Sequence, residues 1–193
     1  MTMRQARDKY FAENGFGEDG GYSDTWVDFK LGPVPFPFPN LPARVRAVKI
    51  HDLHHILTGY DTNTTGEFEI SAWEVGAGCR DYAAAWVLNL GGTAGGFLVA
   101  PKRTFRAFVR GRRTQSLYDR PLESVLDRTV ADMRADTKAD APPASATASD
   151  VALFAVSTTV GLAIGGLFIV VGAVLAPIAL AAGLVRKKAA APA

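Results

Sequence analysis

The chain has 193 residues, 48% of them hydrophobic, with 21 Lys and Arg against 19 Asp and Glu, a net charge of +2 with histidine uncharged. That length fits one domain of ordinary size with appendages, and a charge this small excludes a general nucleic-acid binder. The single cysteine, Cys79, excludes an intramolecular disulfide and a thiolate zinc cluster.

Residues 1–31 form an N-terminal extension of mixed charge with a Gly-rich run at 15–21. No apolar stretch of the kind a secretory signal needs occurs there, so this part is expected on the cytosolic side. Residues 32–41 follow as Gly32-Pro33-Val34-Pro35-Phe36-Pro37-Phe38-Pro39 and its end. Alternate prolines forbid a helix and favour polyproline II. The expected arm lays Phe36 and Phe38 on the domain, and the competing reading is an SH3-type ligand.

From Pro42 to Gly59 the residues predict a helix, with Pro in the first turn and Gly as the stop. All three histidines of the chain fall in it, as His51-Asp52-Leu53-His54-His55. At about 100° per residue His51, Asp52 and His55 share one face, while Ile50, Leu53, Ile56 and Leu57 give an apolar side to pack. Two histidines one turn apart are the spacing from which a helix binds a divalent metal, with a further ligand from elsewhere. Glu67 is the candidate for that ligand, after the turn-forming run Asp61-Thr62-Asn63-Thr64-Thr65-Gly66. Thr64-x-x-Glu67 also fits a capping box, in which Glu67 closes a helix start. Imidazole and carboxylate suit Zn²⁺, and two His with carboxylates are also the ligand set of Fe(II) oxygenases.

The whole pattern, His51-Asp52-x-x-His55, eleven residues, then Glu67, resembles the signature of a ubiquinone (coenzyme Q) biosynthesis family. The likeness runs through residues 43–60, Thr65-Gly66-Glu67, Gly111-Arg112-Arg113 and Leu117-Tyr118, covering roughly 40–135. It implies a compact helical protein in which His51, Asp52, His55 and Glu67 form the metal site, with Asp52 and Glu67 as the candidate catalytic carboxylates. It further implies a step at C1 of the polyprenylated head group, where a carboxylate is lost and a hydroxyl gained. The expected partners are a polyprenylated quinone precursor, other enzymes of the same synthesis and a second copy of the chain. A non-catalytic scaffold that binds prenyl lipid is the competing class, and a zincin-like hydrolase is disfavoured because no Glu follows the first His.

A second helix is expected from about Gly66, with Glu67, Glu74 and Asp81 on one acidic stripe. Glu74 then either supports a metal ligand from behind or is simply solvated. Residues 83–100 carry no charge but contain Gly91, Gly92, Gly95 and Gly96, which predict an apolar helical segment with a break. Residues 102–113 hold six cations in twelve positions, interleaved with Phe105, Phe108 and Val109. That mixture suits a helix lying on anionic membrane lipid; RNA binding is the competing reading, with no nucleic-acid motif beside it, and one or two of these Arg could instead fix a substrate carboxylate. From Pro121 a helix is expected to about Ala135, buried through Leu122, Val125, Leu126, Val130 and Met133. This completes a helical domain at 42–136.

Residues 137–150 are Ala, Ser, Thr, Asp and Pro, the composition of a flexible linker. Residues 151–185 then run without a charge and end on Arg186-Lys187-Lys188 in the basic tail 186–193. This is a membrane segment and is expected to act as an anchor separable from the domain. One straight helix of that length would be roughly 52 Å, against a hydrocarbon core of about 30 Å. A single span with an interfacial remainder is the first reading and a re-entrant hairpin the other. The expectation as a whole is an all-α domain with a C-terminal membrane segment, on the cytoplasmic side of a bacterial-type inner membrane.

Overall fold

The computed structural model describes residues 1–27, 30–31, 34–35 and 38–189, with side chains over 1–27 and 38–171. Among them are eight helices and four two-residue strands, so the chain is all-α. The first helix, α1 (Met3–Asn14), opens with a capping box: Thr2 Oγ1 accepts from Gln5 N–H, and the Gln5 side chain accepts from Thr2 N–H. Met3 and Phe11 are buried, and Met3 N–H donates to Arg128 O at 2.8 Å. The expected extension therefore belongs to the domain.

Four strands follow, β1 (Trp26–Val27), β2 (Lys30–Leu31), β3 (Val34–Pro35) and β4 (Phe38–Pro39). They pair antiparallel, Trp26 with Pro39 and Lys30 with Pro35, so the described residues of the arm form a narrow paired ribbon and not polyproline II. A two-stranded ribbon has only edges, which is where a residue without an N–H is tolerated. Phe38 lies under the Arg44 guanidinium at 5.6 Å, while Phe36 falls outside the described residues.

Helix α2 (Pro42–Thr58) starts on Pro42 and stops at Gly59, whose left-handed φ of 75° lets its N–H cap His55 O at 2.8 Å. Helix α3 (Thr64–Ala77) ends at Gly78, so Asp81 leaves the expected acidic stripe and instead pairs with Arg46 at 2.8 Å. Helix α4 (Ala83–Val99) is unbroken. Its glycines are packing surfaces: Gly92 lies on Ser71, and Gly95 and Gly96 lie on Phe68.

Helix α5 (Pro101–Gly111) crosses α3 at two glycines, where a methyl on Gly76 would meet Phe108 O and one on Gly111 would meet Trp73 O. Both obstacles are backbone and cannot rotate away. Gly111→Ala is thus expected to cost about 1–3 kcal/mol, read from urea unfolding. The cations of α5 and its end are mostly committed inside the protein. Arg103 forks onto Glu69 at 3.0 and 2.6 Å, Arg110 donates to Thr58 O and Ala139 O, and Arg112 and Arg113 reach Asp150. This corrects the picture of a free lipid-facing basic helix; among the described residues Lys102 and Arg106 alone of the six make neither an ion pair nor a side-chain hydrogen bond.

The last domain helix expected from Pro121 is two, α6 (Leu122–Leu126) and α7 (Val130–Thr137), the second capped by Thr129 Oγ1 accepting from Asp132 N–H. Met3, Leu53, Leu57, Leu117, Leu126 and Met133 form one apolar cluster and Trp73, Val75, Ala107, Phe108 and Phe154 a second.

Phe154 belongs to α8 (Ala148–Ala189), so the apolar run is not a detached anchor. Its ring meets Phe105 at 5.1 Å and Phe108 at 5.4 Å, and Gly161 lies against Leu90 O. Asp150, fully buried, takes Arg113 through both oxygens at 3.1 and 2.5 Å. The exposed connection shrinks to 140–147. A chain ending near Thr137 would uncover this aromatic cluster, and Phe154→Ala is expected to lower stability by about 3–5 kcal/mol in detergent unfolding. Among the described residues one stretch, Ala148–Val171, is long and apolar enough to cross a membrane.

Candidate metal centre

The 3.6-residue period of α2 turns His51 and His55 to one side, and the turn from Gly59 to Asn63 folds α3 back beside them. Asn63 is the helix cap: its Oδ1 accepts from Gly66 N–H at 3.0 Å. Glu67 lies one residue past a capping-box position, so its carboxylate is not used at the helix start, and the competing reading of that residue falls. Gly66 packs directly on the Asp61 backbone, where any side chain would collide.

Glu67 Oε2 is 3.4 Å from His51 Nε2 and its Oε1 is 3.4 Å from His55 Nε2, while the two Nε2 atoms are 3.2 Å apart. A tetrahedral ion with bonds of about 2.0–2.1 Å to each donor separates neighbouring donors by roughly 3.3–3.4 Å. The His51–His55 edge is of that size and each imidazole meets a different oxygen of Glu67 at it; one donor atom from each of the three side chains lies within 4.8 Å of the others, and this group could hold a metal ion.

The other ring nitrogens fix which atoms face the site. A carbonyl only accepts, so at 2.9 Å from Tyr60 O the His55 Nδ1 is the protonated one and Nε2 keeps its lone pair. His51 Nδ1 donates to Glu74 Oε1 at 3.0 Å. Each Nε2 is thereby turned toward the Glu67 carboxylate, with its ring held from behind by an oxygen.

Glu74 is the residue that the acidic-stripe reading undervalued. It is fully buried, and its oxygens accept from His51, from His54 Nδ1 at 2.6 Å, from Tyr118 OH at 2.7 Å and from Asn89 Nδ2. Burial alone would raise its pKa, but the charge of His51 and these hydrogen bonds outweigh it and hold the group ionised well below the usual carboxylate range. His54 accepts from Leu117 N–H at 2.8 Å through Nε2, so it is turned away from the metal and acts on the site only by sharing Glu74. Burial would lower the pKa of His51; Glu74 and Glu67 together raise it well above the ordinary histidine value. Burial likewise opposes ionisation of Glu67, yet His51 and His55 bring it to about 2.

Asp52 is not brought into the donor group. One residue along α2 it points toward the N-terminal segment, where Tyr22 OH donates to its Oδ2 at 2.6 Å. Burial raises its pKa. Tyr10 of α1 stacks on His55 with ring centres 5.7 Å apart. Tyr10 and Tyr22, absent from the sequence reading, thus cover the site; the Thr2-x-x-Gln5 capping box was the signal that an ordered helix began there.

Access is set by exposure: the His55 side chain is 1% exposed, His51 19% and Glu67 43%, so the open side is that of Glu67. A depression of about 480 Å³ lined by Tyr10, Asn14, Tyr60 and Asn63 reaches His55. Three protein ligands with an open side is the arrangement of catalytic and not of closed structural zinc sites.

Fold and site together define an all-α protein with a possible two-His, one-Glu metal centre and one candidate membrane span. Scans against protein-family models, the curated proteins and the solved structures found no match.

Proposed function

We propose that this is a membrane-associated metalloprotein of ubiquinone synthesis that replaces the C1 carboxylate of a polyprenylated head group by a hydroxyl. The observation that carries the metal reading is the His51–His55–Glu67 triangle, with both Nε2 atoms turned inward at 3.2 Å. The reaction is supported by the resemblance of His51-Asp52-x-x-His55-x₁₁-Glu67, and the membrane setting by the apolar run that ends on Arg186-Lys187-Lys188.

Exchange of carboxylate for hydroxyl is a two-electron oxidation, so an oxidant such as dioxygen is consumed. Zn²⁺, the ion we favour, would polarise the substrate's carboxylate and phenol oxygens as a Lewis acid, whereas Fe(II) would also handle the oxidant. The chain's own part is positioning. Glu74 and the Tyr60 carbonyl hold the two imidazoles, Glu67 offers its carboxylate on the open side, and the Tyr22–Asp52 pair closes the flank toward α1.

The test is release of the C1 carboxylate from a polyprenylated 4-hydroxybenzoate-type precursor by the full chain in liposomes, with and without added Zn²⁺ or Fe(II). Activity that rises with one ion and falls at least tenfold in Glu67→Gln supports the reading; as a metal ligand its loss removes several kcal/mol of transition-state charge stabilisation, each 1.36 kcal/mol being tenfold in rate. Normal quinone synthesis by metal-free Glu67→Gln protein in cells would mean a scaffold instead.

A further inference from the structure

Helix α4 is built inside out for a water-facing element. Its two uncharged polar side chains are buried, Asn89 on Glu74 and Thr93 without a partner, while its exposed positions are Ala83, Val87, Leu88, Phe97, Leu98 and Val99. A helix covering a domain in water does the reverse, with the apolar stripe inward and polar residues outward. Between Ala83 and Ala100 there is no charge to place outward at all.

The neighbour of α4 has the same character. Phe97 of α4 meets Phe154 of α8 and, further along α8, Gly161 meets Leu90 and Ala94, so the two helices run antiparallel. The outer side of α8 shows Val151, Leu153, Val156 and Val160, and the hydroxyl of exposed Thr159 is satisfied by Ala155 O at 2.9 Å. The paired helices therefore present one continuous face without a charged side chain. On α5, which begins at Pro101 directly after the exposed Val99 end of α4, stand Lys102 and Arg106, the two exposed cations of that helix that make no ion pair among the described residues.

We propose that the shared outer face of α4 and the first half of α8 is seated against the acyl region of the bilayer, with Lys102 and Arg106 at anionic head groups. Three observations select lipid over a second protein. The face is continuous with a helix long and apolar enough to span a membrane, it has no charge to set the register of a partner chain, and its free cations lie at the rim, where snorkelling side chains meet phosphates. The inference rests on the membrane reading of α8 and deepens it. The domain sits on the membrane instead of hanging from it by a tether, and only α3 separates α4 from the metal centre. With helices packed about 8–10 Å apart, a head group at Glu67 would lie roughly 10–20 Å from the acyl boundary, within reach of an amphiphile whose tail stays in lipid.

The experiment uses the full chain in liposomes containing anionic lipid, labelled with bimane at Leu88→Cys, Leu98→Cys, Ile169→Cys in the span, or Asp127→Cys, an exposed position just after α6, as the aqueous control. Cys79 is buried and stays unlabelled. Bromine on the acyl chains is expected to quench Leu88→Cys and Leu98→Cys as strongly as Ile169→Cys, with iodide in water quenching only Asp127→Cys. Iodide quenching at Leu88 and Leu98 with bromine quenching at Ile169 would overturn the inference and leave the span intact. Shielding from both quenchers at Leu88 and Leu98 would also overturn it, in favour of a covering protein. Iodide quenching at Ile169 would remove the membrane reading itself, and the inference with it.

Discussion

Glu74→Ala is expected to lower stability by about 3–5 kcal/mol, because it leaves buried charge and hydrogen-bond donors without their acceptor. His51, His54, Tyr118 and Asn89 all point at that carboxylate, and His54, Tyr118 and Asn89 are buried away from water. The same substitution frees His51 Nδ1, so metal affinity should fall about 10- to 100-fold, as when the oxygen behind a ligating imidazole is removed elsewhere. Glu74→Gln separates the two effects. Its amide oxygen still accepts from both imidazoles, but its NH₂ faces the Asn89 NH₂, so the fold should weaken less than in Glu74→Ala while His51 stays oriented. Urea unfolding of the metal-free protein and a chelator competition titration read the two losses. Wild-type stability in Glu74→Ala would mean that water replaces the carboxylate, contrary to its complete burial.

The second large effect is an inversion of pH dependence between the metal-free and metal-loaded protein. In the metal-free state the folded His51 pKa is raised above its unfolded value of about 6.5 by Glu74 and Glu67. The protonated imidazole therefore contributes stability that is complete below about pH 6.5 and is lost as pH rises through the folded pKa. The metal-loaded state requires the same Nε2 without its proton, so its extra stability grows with pH over that window. Metal affinity should begin to fall while pH is still above the ordinary histidine range, by about tenfold per pH unit once one proton is displaced. Glu67 adds an acid limb of the same sign in both states: its pKa of about 2 means stability is present above about 4.5 and is lost as pH falls toward 2. Thermal midpoints with and without Zn²⁺ at pH 6 and pH 9 should move in opposite directions; parallel movement would show that His51 does not exchange a proton for the ion.

Much of this site could be read from local residues. Pro42 and Gly59 marked the two ends of α2, the i, i+4 histidines marked its functional face, and the turn run before Thr64 placed Glu67, because each of these depends on helical geometry over a few residues. What was lost depends on partners far along the chain. Glu74 looked like a surface acid because no local pattern shows that Asn89 and Tyr118 converge on it. Asp52 shares the histidine face, yet the side chain that engages it comes from Tyr22, thirty residues earlier. The cations of α5 suggested lipid because their intramolecular acceptors, Glu69, Asp150 and the Thr58 carbonyl, lie in other elements. The glycines of α4 suggested a break, since propensity counts only their cost within a helix and not the close approach of Ser71 and Phe68 that they permit.

His51, His55 and Glu67 are proposed to bind one divalent ion together. Metal content of the purified full chain after loading with Zn²⁺ and desalting tests it most directly, in wild type, His55→Ala and Glu67→Gln, with folding checked by circular dichroism. One ion per wild-type chain, most of it lost in His55→Ala and a large part in Glu67→Gln with helicity unchanged, is the predicted result. Retention of the wild-type ion by both variants, or no ion bound by the wild type, would contradict the account.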